Sequence, residues 1–103
     1  MRSSGEIRFN YRLALSQASQ LERLAERAER LSKQKMEPSM QSLSAAWKGE
    51  SATAFLKKEE QLQRQILVSA SEIRGIATDI RTIARRVYNA EMEALRIARS
   101  RRS

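Results

Sequence analysis

The sequence predicts an all-α protein: an antiparallel helical hairpin of two long helices that dimerises into a four-helix bundle. Three observations carry this. Helix-forming Ala, Leu, Ile, Arg, Glu, Gln and Lys dominate the 103 residues, with only 3 Gly and 1 Pro to make turns. A heptad stripe of apolar residues runs through the C-terminal half. The one strong break in helical pattern, Trp47-Lys48-Gly49-Glu50-Ser51, falls at mid-chain. The length suits a single domain, residues 1–103.

The ends, 1–5 and 100–103, read as flexible. The first helix is expected over about 6–46. Tyr11, Ala14, Ala18, Leu21, Ala25 and Ala28 repeat at heptad spacing, and Leu24 and Leu31 widen the face. After Ser32 the phase shifts and continues through Met36, Met40, Leu43 and Trp47. Pro38 lies in that zone and predicts a kink near 34–38, because proline removes a backbone donor. The turn is expected at about 47–50, with Gly49 closing the helix in the left-handed conformation and Glu50 suiting the next helix's dipole. So short a connection folds the helices back on each other.

The second helix is expected over about 51–99. Leu62, Ile66, Ile73, Ile76, Ile80, Ile83 and Val87 lie on its stripe, and Ala90, Ala94 and Ile97 continue it. With Ile66 at a, the e positions read Ala70, Ala77, Ala84, Glu91 and Ala98, so the apolar face is about three positions in seven. Small alanines on its edge allow close approach of a neighbour. At about 1.5 Å per residue this helix measures roughly 70 Å, giving a rod-like hairpin. Two helices cannot cover two such wide faces, so a second hairpin, in a homodimer or a heterodimer, is expected to complete the bundle. Surface pairs Glu26–Arg30, Glu29–Lys33 and Glu60–Arg64 have the favourable spacing of four.

Several function classes are disfavoured. The chain has no Cys and no His, hence no thiol nucleophile, no thiolate metal site and no imidazole base. Carboxylates are scattered, no glycine-rich phosphate loop exists, and neither an enzyme nor a cofactor is expected. The longest apolar runs are three residues, too short for a membrane span or a cleavable signal peptide. Twenty Lys and Arg against 12 Asp and Glu give +8. The excess is uneven: residues 81–103 hold seven Arg against Glu91 and Glu93. Such charge attracts nucleic acid, acidic lipid or an acidic protein partner. Arg64, Arg85 and Arg99 at f, with Arg74 and Arg81 at b, make the outer face of the second helix basic. No basic block precedes the heptads and no short recognition helix is offered, so nucleic acid is the weaker expectation and an acidic protein partner the stronger.

Trp47-Lys48-Gly49, set between two heptad-bearing helices in a chain of about one hundred residues, resembles the WxG-motif family, the small early-secreted-antigen-like substrates of type VII (Esx) secretion. Leu43, Ala46, Ala52, Ala54 and Phe55 follow the family's run of apolar and small residues around the turn. The resemblance implies a dimeric four-helix bundle exported by a membrane ATPase, secreted without a cleavable signal peptide from a cytoplasmic pool. It also implies an export signal built from the turn Trp and a C-terminal Tyr-x-x-x-Asp/Glu. Trp47 and Gly49 match the first element. Tyr88, at a b position, starts the second, but Met92 stands four residues on, flanked by Glu91 and Glu93. The positive charge is a further departure. The competing reading of the same residues is a cytosolic basic helical scaffold or nucleic-acid-binding protein.

Overall fold

The computed structural model describes residues 2–102; Met1 and Ser103, in the expected flexible ends, lie outside the described residues. Among these, all regular structure is helical: α1 over Ser4–Arg30, a π-helical segment over Leu31–Met36, α2 over Glu37–Ala46 and α3 over Glu50–Arg102. The chain divides into two compact units, Met1–Leu21 with Gly75–Ser103, and Glu22–Arg74. Here they are called the terminal and the turn unit.

Helix α1 starts earlier than the sequence reading placed it, and the reason is local. Ser3 Oγ accepts the backbone N–H of Glu6 at 3.2 Å, satisfying a donor that an uncapped first turn leaves bare. The Ser3-Ser4-Gly5-Glu6 pattern is a capping-box signal that the flexible-end reading overlooked.

Next to the zone where a kink was expected, the helix is π-helical over Leu31–Met36. Glu37 N–H donates to Ser32 O, five residues back, instead of four. Two successive steps of four, Ser32 to Met36 to Met40, overshoot an α-helical face by about 40° each. The wider π turn absorbs that overshoot, and Met36, Met40 and Leu43 stay half-buried. Pro38 then falls in the first turn of α2, where its missing donor costs little.

At the turn, Gly49 does a different job from the one expected. The residue closing α2 is Trp47, in an extended conformation (φ −112°, ψ 121°), with its N–H on Leu43 O at 2.8 Å. Gly49 instead opens α3: its carbonyl accepts Thr53 N–H at 3.0 Å and Thr53 Oγ1–H at 3.0 Å. Its φ is +113°, a region L side chains rarely adopt, so glycine is required by backbone conformation and not by crowding.

Each unit is an antiparallel helix pair. In the terminal unit, Arg2 meets Glu91, Tyr11 meets Tyr88 and Ser19 meets Arg81. In the turn unit, Glu29 meets Arg74, Ser32 meets Gln63 and Trp47 meets Phe55. Rising numbers pair with falling ones in both.

What packs between the helices is small. Ala18 and Ala77 in the terminal unit, and Ala25, Ser32 and Ala70 in the turn unit, have no exposed surface. A methyl-sized side chain is fully covered only where the facing helix comes close, so this seam is held by close backbone approach. Ile7 and Ala52 are the other buried apolar residues among those described. The stripe expected to form the face is thus displaced from the seam. Ile66, Ile73 and Ile80 are half-buried, while Leu62, Ile76, Ile83 and Val87 are exposed. Of the e-position alanines, expected at the edge, Ala70 and Ala77 are the centre, while Ala84 and Ala98 are half-buried. Bulky d-position side chains would hold the helices apart, whereas alanine at e lets them meet.

Candidate functional site

Two groups of residues were singled out by the sequence, and each lies within one unit. In the turn unit, Trp47 leaves the end of α2 extended and its indole rests on Phe55, ring centroids 5.7 Å apart and tilted by 48°. Trp47 keeps 40% of its surface exposed and Phe55 is exposed as well. Lys48 Nζ donates to Ser44 O at 3.2 Å, capping one of the last carbonyls of α2. The Trp47–Gly49 connection therefore presents a tryptophan backed by a phenylalanine, on a backbone fixed at both ends by hydrogen bonds.

In the terminal unit, Tyr88 is more than a surface residue beside the stripe. It is half-buried and stacked on Tyr11, with centroids 4.7 Å apart and planes 27° from parallel. Glu91 accepts from Arg2 at 3.1 Å. Both residues of the incomplete C-terminal motif are thus engaged from the N-terminal side, Tyr88 by Tyr11 of α1 and Glu91 by Arg2, which precedes it. The Tyr11 and Arg2 partners were not legible beforehand, because the pairing depends on the helix register and not on either helix alone.

The same unit carries an open apolar groove of about 260 Å³, floored by Ile80, Ile83, Val87, Ala14 and the two tyrosines. Ile76, Ile83 and Val87 are 53%, 58% and 47% exposed. In the turn unit Leu24 and Leu31 on the N-terminal side, and Leu62 on α3, are likewise exposed. In both units these side chains precede the seam residue by one position (Leu24 before Ala25, Leu31 before Ser32, Ile76 before Ala77, Ile83 before Ala84). In an antiparallel pair, positions on the same rotational side of the two seams fall on the same face of the pair. Each unit therefore has large apolar side chains on one of its faces.

Charge is arranged by cross-helix pairing as well as within helices. Glu26–Arg30 and Glu60–Arg64 pair at 3.7 Å, as the spacing predicts. Glu29 instead takes Arg74 Nε at 2.7 Å across the seam. Its half-buried position beside Ala25 aims it at α3, where a guanidinium N–H can reach it. The hydrogen bond from Arg74 holds the Glu29 carboxyl below the usual glutamate range, and the same bond raises Arg74. Arg96 does the same for Glu93 at 2.6 Å.

Among the described residues no cluster of three metal-ligating side chains occurs, and no helix is long and apolar enough to cross a membrane. No protein-family model, curated protein or solved structure matches the chain.

Proposed function

We propose that the chain is a small type VII (Esx) secretion substrate, or the partner of one, that acts by pairing its open apolar face with another helical hairpin. The observation that carries the reading is Trp47: a large aromatic kept partly exposed at a turn whose Gly49 opens the second helix. A tryptophan needed only for packing would gain by turning inward. One held outward on a fixed backbone is suited to recognition by a secretion ATPase. The exposed Ile76, Ile83 and Val87 support the second half of the reading. Isolated apolar residues on a surface mean little, but a row of them at heptad spacing is the pattern of a helix seam. Pairing, as a homodimer or a heterodimer, would complete a four-helix bundle.

The test is export of a tagged copy from the native host, read in culture medium against a cytosolic marker. Appearance in the medium that is lost on deleting the secretion ATPase is expected. Trp47→Ala is expected to keep its helical circular dichroism and lose export. A wild-type chain that stays in the cells, even when expressed with its genomic neighbours, would sink this reading and favour the cytosolic basic scaffold. In that case the unpaired apolar face would need another explanation.

A further inference from the structure

All of the Lys and Arg in the terminal unit are arginines, and they are unevenly placed. Its ten Arg face four acids, Glu6, Asp79, Glu91 and Glu93, while all five lysines of the chain belong to the turn unit. Of those four acids, Glu91 is held by Arg2 and Glu93 by Arg96.

The Arg81–Ser19 hydrogen bond, 2.9 Å, identifies which sides of the two helices share a face. Arg12 precedes Ser19 by seven residues, and Leu15 precedes it by one turn; Arg8 precedes Leu15 by seven. On α3, Tyr88 and Leu95 follow Arg81 at steps of seven, and Arg85, Met92 and Arg99 form the neighbouring row one turn on. Residues at these spacings lie along one side of a helix. Arg8, Arg12, Arg85 and Arg99 are exposed, with no ion pair among the described residues; Arg81 is half-buried against Ser19. Between the arginines sit half-buried Leu15, Tyr88, Met92 and Leu95. The exposed Ile76, Ile83 and Val87 lie on the other rotational side of α3. Glu6 and Asp79 also fall away from the arginine rows.

We infer that this arginine face is a docking surface for an acidic amphipathic helix of a partner protein. The interaction is separate from hairpin pairing and does not depend on the secretion reading. Arg8 and Arg12, both exposed, are one helical turn apart. That repeat matches carboxylates at i and i+4 on a helix lying along the pair. Arginine's planar fork takes a carboxylate with two parallel bonds, which lysine cannot do. The apolar residues between the rows decide against a nucleic acid. A phosphate backbone has nothing to set against Leu15, Met92 and Leu95, whereas the apolar edge of an acidic helix covers them. A second copy of this chain is also a poor occupant, since it would bring arginine to arginine.

The experiment uses the full chain and a fluorescein-labelled 20-residue peptide with leucines on one helical face and glutamates flanking them. A scrambled peptide of the same composition and a 20-base-pair duplex DNA are compared by anisotropy at about 150 mM salt, where charges more than roughly 8 Å apart are screened. The amphipathic peptide is expected to bind at least about tenfold more tightly than the scrambled one, a difference of about 1.4 kcal/mol. The triple variant R8Q/R12Q/R85Q should lose about tenfold or more. R23Q/R27Q/R30Q, which removes equal charge from the turn unit, should stay within about twofold. The wild-type comparison needs no variant, so it stands even if a variant misfolds. Equal binding of scrambled and amphipathic peptides would overturn the inference, as would tighter binding of DNA than of peptide. So would equal loss in the two triple variants.

Discussion

Ser32 stands where the seam pattern calls for alanine. Ala18, Ala25 and Ser32 are spaced by seven, and all three are completely covered. The Ser32 hydroxyl has no hydrogen-bond partner. Its backbone carbonyl, by contrast, accepts two bonds, from Glu37 N–H and from Gln63 Nε2 at 3.2 Å. Ser32→Ala removes only the hydroxyl and leaves both carbonyl bonds in place. A buried hydroxyl without a partner costs about 1–3 kcal/mol, and alanine is the better helix former by up to ~0.5 kcal/mol. The variant is therefore expected to be more stable by about 1–3 kcal/mol. In a chain of this size that raises Tm by roughly 5–15 °C, read by circular dichroism at 222 nm. Exposed Ser69→Ala is the control, since it samples helix propensity alone and should shift Tm by much less. A Tm for Ser32→Ala at or below the wild type would refute the reasoning. The hydroxyl would then be holding the π segment or its neighbours, and burial of an unpaired oxygen would be the wrong description.

Three further outcomes follow from the same geometry. Ala70→Leu, adding bulk to a seam residue with no exposed surface, should lower stability by about 1–3 kcal/mol, whereas Ser69→Leu beside it should cost nothing; a stable Ala70→Leu would mean the seam is loose. Gly49→Ala places a side chain at φ +113° and is expected to cost about 1–2 kcal/mol, read by thermal unfolding; no loss would show that the turn relaxes to negative φ. Ile76→Gln with Ile83→Gln should weaken self- or partner association by about a hundredfold in sedimentation. Each side chain is roughly half open, and each half is worth about 1–1.5 kcal/mol when covered. Unchanged association would place the interface elsewhere.

Much of this molecule was legible in the sequence because much of it is local. Helix existence follows from propensity and period, and the break at Trp47–Gly49 from a lone glycine after a long periodic run. Where the reading slipped, a neighbour had intervened. The start of α1 moved because Ser3 captured the Glu6 amide. Gly49 proved to open α3 and not to close α2, since a tripeptide does not reveal which helix its glycine serves. Glu29 left its i+4 lysine for Arg74 once the second helix lay alongside.

By itself, the sequence determined two long helices, one turn, and an apolar face too wide for a single partner. Periodicity encodes these directly. Only the tertiary structure decided which part of that face is used inside each unit. Hydrophobicity ranks isoleucine above alanine, and a stripe read by hydrophobicity runs through Ile76 and Ile83. Packing is settled by how closely two backbones can approach, and there the methyl group wins. Alanines therefore meet in the seam, and the larger side chains are left outside it.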